Sequence, residues 1–159
     1  MTQLPQVGPQ YDGLFTPWVP VSDLGRAVDW YVRVLNLKLV FHADEIGWAE
    51  LATATPGAVL GLYRLPGPLP EGGCGPGGAT MTFGVQDLES ERVRLEGLDV
   101  KFGEYDRVID SLISFVSFED PDGNPLMFCQ VLHSPRAEDE VEWQPTKAAA
   151  AATGAEAGS

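Results

Sequence analysis

Apolar and polar positions along the chain repeat the same series of elements twice. Residues 15–24 read FTPWVPVSDL and residues 79–88 read ATMTFGVQDL, with Val21, Asp23 and Leu24 matched by Val85, Asp87 and Leu88. In each copy an extended stretch of period two runs into a helix start. After Ser22 or Asp23 as cap, LGRAVDWYVRVL sets Leu24, Ala27, Val28, Tyr31 and Leu35 at helical spacing. Asn36 then ends the helix, because a left-handed residue is needed just past the last turn and Asn tolerates that conformation. Gly97 is the expected counterpart of Asn36. It closes a second, exposed amphipathic helix within DLESERVRLEG, whose apolar positions are Leu88, Val93 and Leu95.

Three short strands follow each helix. The pattern predicts them at 37–43, 47–54 and 58–65, and again at 98–105, 111–119 and 125–132. The last two are joined by DPDGN, in which Asp, Pro and Gly each favour a turn conformation. The expected class is α+β, built from two βαβββ modules. Residues 1–13 form an arm, 14–64 the first module, 65–78 a Gly/Pro-rich linker and 79–132 the second module. Residues 133–159 are acidic, then Ala-rich, and their lack of apolar period predicts a mostly disordered tail.

Composition narrows the picture. A chain of 159 residues with 44% hydrophobic and 21% charged residues reads as one globular unit, not a fibrous repeat or a wholly disordered chain. Against 10 Lys and Arg stand 23 Asp and Glu, a formal charge of −13 that a nucleic-acid backbone would repel. No apolar run approaches the roughly 20 residues that span a bilayer. The start, MTQLPQVGPQ, also lacks the basic and apolar segments of an export signal. Cys74 and Cys129 are too few for a disulfide framework or a thiolate zinc site, so a reduced cytoplasm is the expected setting.

Through VSDLGRAVDWYVRVLNL, FGVQDLE and FEDPDGNPLMF, in that order around the repeat, the chain resembles the vicinal oxygen chelate superfamily over roughly residues 13–132. That superfamily includes glyoxalase I, extradiol dioxygenases and the bleomycin and fosfomycin resistance proteins. The resemblance implies a curved mixed sheet around a cleft, with helices outside, and commonly a homodimer whose cleft is completed across two chains. It also implies four divalent-metal ligand positions. These fall on Thr16, seven before Asp23; Thr80, seven before Asp87; Gly61, on the fourth strand; and Met127, seven after Asp120. None is an imidazole or a carboxylate, and a thioether is a poor ligand for hard ions. His42 and His133 are not spaced to rebuild the set, so no metal and no other cofactor is expected.

Because side chains alternate across a strand, each of these positions identifies the cleft face of its strand. Thr16 carries Trp18 and Pro20 with it and leaves Phe15, Val19 and Val21 towards the helix. Thr80 carries Thr82 and Gly84, leaving Met81, Phe83 and Val85 under the second helix. Val59 and Tyr63 flank Gly61, and Cys129 and Val131 join Met127. If Ala49 and Leu51 pack under the helix, then Trp48, Glu50 and Ala52 face the cleft. The candidate ligand-binding residues are therefore Thr16, Trp18, Trp48, Glu50, Gly61, Tyr63, Thr80, Thr82 and Met127.

Indoles, a phenol, a thioether, threonine hydroxyls and one carboxylate suit a flat organic guest, and Glu50 favours a cationic one. The expected function is metal-free binding of such a molecule, of the drug-sequestering kind that gives antibiotic resistance. The alternative is a metal-independent lyase or isomerase. In it Glu50 acts as general base, and Thr16, Thr80 or Tyr63 donates to a developing oxyanion. A metal-dependent glyoxalase or dioxygenase is opposed by the four replaced ligands. Trp18 and Trp48 have a second reading as filler for the space a metal would occupy, while Trp30 and Tyr31 belong to the core.

Overall fold

The structure is a computed structural model that describes residues 12–69, 79–109 and 113–132, with the backbone alone for 104–109. The expected tail, most of the linker and arm, Cys74 and His133 lie outside the described residues. The first half contains β1 (Trp18–Val21), α1 (Leu24–Leu35), β2 (Lys38–Ala43), β3 (Trp48–Ala52) and β4 (Val59–Arg64). The second contains β5 (Met81–Gly84), α2 (Leu88–Glu96), β6 (Lys101–Ile109), β7 (Ile113–Glu119) and β8 (Pro125–Val131). Each half is a βαβββ unit with its own four-stranded sheet, in the orders β1-β4-β3-β2 and β5-β8-β7-β6. Only the first strand of each runs parallel to its neighbour, β1 with β4 and β5 with β8.

The helices form where the apolar spacing puts them. Asp23 is the cap of α1, accepting from the Arg26 amide at 2.8 Å, and Asn36 ends the helix with φ 54°. Leu24, Ala27, Tyr31 and Val34 are buried beneath it. Two details of the second helix differ from expectation. Leu95 is buried but Val93 is 58% exposed. Leu88 and Leu95 are seven residues apart and share a face, whereas Val93 lies about 140° around the helix from Leu88. Gly97 stays right-handed at φ −67°. The chain makes one more tight turn, with Leu98 and Asp99 amides bonding to Leu95 and Glu96 carbonyls at 3.0 and 3.2 Å. Asp99, at φ 54°, then takes the left-handed position expected of Gly97.

A further difference concerns Phe15, expected towards the helix but 70% exposed. It bridges Ala58 ahead of the start of β1. Strand β6 also runs on to Ile109.

The halves share one core, with Val21, Tyr31, Leu51 and Leu62 of the first joined to Leu95, Phe118, Leu126 and Phe128 of the second. Each fully buried aliphatic or Phe side chain contributes about 1.5–3 kcal/mol. A polar junction accompanies it, built by the DPDGN turn. Asp120 accepts at Oδ1 from the Asp122 and Asn124 amides, both at 2.9 Å, and at Oδ2 from Tyr31 Oη and Asn124 Nδ2, both at 2.8 Å. Asn124 Nδ2 also donates to the Pro20 carbonyl at 2.8 Å. Pro20 stands at the outer edge of β1, where a missing N–H breaks no ladder bond, and Asn124 covers its carbonyl. Arg94 Nη1 donates to the Val34 carbonyl at 2.8 Å and ties α2 to the end of α1.

Candidate functional site

With one face of the first sheet under α1, the other carries the residues predicted for the cleft. Gly61 pairs with Trp18 on one side and Glu50 on the other, and Glu50 pairs with Phe41. Trp18, Gly61, Glu50 and Phe41 therefore form one row across four strands. Tyr63 and Trp48 are paired in the next. The residues that alternate with them, Ala49, Leu51, Leu60 and Leu62, are at most 1% exposed beneath the helix, which fixes the parity expected from sequence.

The rings in these rows touch. Trp18 meets Tyr63 edge-on, with centroids 5.7 Å apart and planes at 89°, and Trp48 meets Tyr63 at 6.2 Å and 52°. Trp48 Nε1 donates to Glu50 Oε1 at 2.9 Å. A Cβ on Gly61 would stand 2.5 Å from Trp48 Cη2, 2.7 Å from Trp48 Cζ2 and 2.8 Å from Trp18 Cβ. The Trp48 ring thus occupies the space in which a side chain at position 61 would stand. Trp18 is 51% exposed, while Trp48, Glu50 and Tyr63 are half-buried.

In the second sheet Thr82 pairs with Met127, and Met127 with Ser117; Gly84 pairs with Cys129, and Cys129 with Phe115. Thr82 and Met127 hold the register that Trp18 and Gly61 hold in the first sheet. The repeat therefore places Gly61 and Met127 at equivalent points, as counting along the chain placed them. Thr16 and Thr80 are exposed just ahead of β1 and β5. The structure brings Trp18, Trp48, Glu50, Gly61 and Tyr63 together, and sets Thr82 beside Met127 on the other sheet.

Phe41 was missed by sequence reasoning. A bulge between Leu39 and Phe41 puts Leu39 opposite Leu51 on the helix side and Phe41 opposite Glu50 on the site side. The signal was the run Leu39-Val40-Phe41, which breaks the alternation of an ordinary strand. Ser117 was also missed. It is 9% exposed beside Met127, with its Oγ 2.5 Å from where a Cβ on Gly103 would stand.

The four positions at which the fold's relatives would hold a metal offer two hydroxyls, a hydrogen and a thioether. At Gly61 the room is taken by an indole. His42 pairs with Ala49, facing away from the site, with its Nε2 3.6 Å from Asp44 Oδ1. Among the described residues no cluster of three His, Cys, Asp or Glu could hold a metal ion. The donor set does not fit a divalent cation. Surface grooves of about 810 and 530 Å³ lie elsewhere, one beside Val32 and Leu39 and the other beside Trp30 and Lys101.

Comparison with known proteins agrees with this architecture. The model of the Glyoxalase/Bleomycin resistance protein/Dioxygenase superfamily matches residues 13–128. Among curated proteins nothing matches the chain. Among solved structures, it is similar to a member of that superfamily from Sphaerobacter thermophilus, at 20% identity over 74% of this chain and 95% of that one, with TM-score 0.61. It is similar to TnmS3, an antibiotic binding protein from a Streptomyces species, at 22% identity over 79% and 98%, with TM-score 0.58. A lactoylglutathione lyase from Agrobacterium tumefaciens is similar at 18% identity over 77% and 96%, with TM-score 0.58.

Proposed function

The chain belongs to the glyoxalase/bleomycin resistance protein/dioxygenase superfamily, and from that premise we propose that it is a metal-free binding protein for a flat organic molecule. The observation that carries this reading is the Trp48 indole laid across Gly61 and flanked by Trp18 and Tyr63. An aromatic surface stands where a metal ligand would otherwise be. Planar guests stack on such rings, and the Glu50 carboxylate at their edge favours a guest that carries positive charge. That one similar fold belongs to an antibiotic binding protein supports the drug-sequestering form of the proposal.

The ligand surface would comprise Trp18, Trp48, Glu50, Gly61 and Tyr63, with Thr16 at its rim. Thr80, Thr82 and Met127 would form a second wall from the other sheet. A homodimer would bring such walls together, one from each chain. Among the described residues no helix is long and apolar enough to cross a membrane, and a cytoplasmic setting accords with the two thiols. The enzymatic alternative is less well supported, because one Glu50 oxygen is already engaged by the Trp48 indole N–H and its neighbours on this face are mostly aromatic rings.

Titration of the protein's tryptophan emission with proflavine, a planar cation, tests the proposal. A saturable change is expected. No response to proflavine or to any neutral planar compound of similar size would overturn it.

A further inference from the structure

Glu50 and Trp48 are two residues apart on β3, on the same face, and joined by the indole N–H at 2.9 Å. Glu50 lies directly across from Gly61, whereas Trp48 lies across from Tyr63. To reach Gly61 the indole must therefore lean diagonally from its own row into the next. The contact distances to a Cβ on Gly61 show that it does so with the Cζ2–Cη2 edge of its six-membered ring, the edge next to the N–H. Two features hold it there. Gly61 leaves the space open, and Glu50, across from Gly61, accepts the N–H that lies on the same edge of the indole.

We infer that Glu50 is a positioning residue, whose carboxylate latches the Trp48 indole across Gly61 and so presents a fixed ring to the guest. The inference rests on the binding function proposed above and gives Glu50 a role separate from its charge. One carboxylate oxygen holds the indole, and the other remains to meet an N–H donor at the edge of a stacked guest. The surface then selects planar molecules bearing a protonated amine or amidine at the rim. An indole without its latch could rotate about its side-chain bonds, and each guest would have to order it.

Three substitutions separate the roles. Glu50→Gln keeps an oxygen that can accept the indole N–H but removes the charge. Glu50→Ala removes both. Gly61→Ala leaves Glu50 intact and places a methyl group where the ring lies. Acrylamide quenching of Trp48, isolated as the difference between each protein and its Trp48→Phe version, reads the latch without any guest. Quenching should rise in Glu50→Ala and Gly61→Ala and stay at the wild-type level in Glu50→Gln. With proflavine and acridine as probes at about pH 8, where proflavine is cationic and acridine neutral, Glu50→Ala should weaken both by roughly five- to tenfold. Glu50→Gln should weaken proflavine alone. Unchanged quenching in Glu50→Ala would overturn the latch even where planar guests bind. Absence of binding to the wild type, with quenching as expected, would overturn the proposed function and leave the latch standing.

Discussion

The Tyr31 hydroxyl on α1 donates to the buried carboxylate of Asp120 at 2.8 Å, joining the first helix of one module to the last turn of the other. Asn124 stands beside it, bonded both to Asp120 and to the Pro20 carbonyl of β1. A carboxylate with few routes to water depends on these donors. Tyr31→Phe removes one of them and should lower stability by about 1–3 kcal/mol, in the range for hydrogen bonds to charged groups. Asn124→Ala strips a donor from both Asp120 and Pro20 and should cost more than Tyr31→Phe. Urea unfolding measures both, and a Tyr31→Phe protein as stable as wild type would show that the bond adds nothing to the junction.

The same group sets a pH dependence. Burial pushes the Asp120 carboxyl above its ordinary value, against the opposing hydrogen bonds from Asn124, Tyr31 and the Asp122 amide. The folded state therefore holds the proton more tightly than the unfolded chain. Its contribution to stability is fully present below the unfolded value, roughly pH 4, and is lost as pH rises through the raised folded value. Asp87 behaves oppositely. As the exposed cap of α2 it accepts from the Ser90 amide and hydroxyl, which hold its carboxyl below the ordinary range. That contribution is present above roughly pH 4 and is lost as pH falls through the lowered folded value. In unfolding experiments across this range, the stability of wild type relative to Asp120→Asn should fall with rising pH. Relative to Asp87→Asn it should rise. Parallel curves for either pair would contradict the assignment.

Metal should have no place in binding. Thr16, Thr80, Gly61 and Met127 supply no imidazole and no carboxylate, and the Trp48 ring fills the room at Gly61. The expected outcome is that zinc, nickel or manganese leaves the melting temperature unchanged and that a chelator leaves proflavine titration unchanged. About one transition-metal ion per purified chain by elemental analysis would refute it.

Much of this face was legible in the sequence because one alternation fixes a whole strand. Once Ala49, Leu51, Leu60 and Leu62 go under the helix, Trp48, Glu50, Gly61 and Tyr63 must share the other side. The repeat supplied the register twice, through Trp18 with Gly61 and Thr82 with Met127. Phe41 was harder to place, since a bulge reverses parity and its position depends on pairing with β3; the local pattern marked it only through the unbroken run Leu39-Val40-Phe41. The left-handed residue after α2 was misplaced on Gly97 for a related reason. A helix end is set by where the chain must turn next, and one extra turn passes the role to Asp99. The indole contact on Gly61 is a tertiary event with no signature beyond an isolated glycine in an apolar strand.

The two tryptophans of the face should separate when stability and affinity are measured on the same variants. Trp18 is 51% exposed, so Trp18→Ala should cost less than about 2 kcal/mol of stability, below the roughly 3–5 of a buried aromatic. It should still weaken proflavine by about 1–3 kcal/mol if the ring is a wall of the site. Trp48 is half-buried and packed on Gly61, so Trp48→Ala should lose about 2–4 kcal/mol of stability as well as affinity. Loss of stability with unchanged or tighter binding would make Trp48 a plug in the fold and remove it from the ligand surface.

The last expectation concerns how the site is completed. One sheet offers the aromatic rings and Glu50, the other Thr82, Met127 and Ser117, and the two surfaces differ in chemistry as opposite walls of one site would. Trp18 at 51% exposure, with Phe41 at 47%, leaves apolar area at the face of the first sheet that a second wall would cover. A second copy of the chain would supply such a wall, and sedimentation should then find a homodimer at micromolar concentration. Dilution that separates the copies should weaken proflavine binding in step. Met127→Ala should do likewise without disturbing Trp48, since the methionine would reach the guest from the facing sheet. A monomer that binds proflavine at full strength would show that the first sheet works alone, and would confine the site to Trp18, Trp48, Glu50, Gly61 and Tyr63.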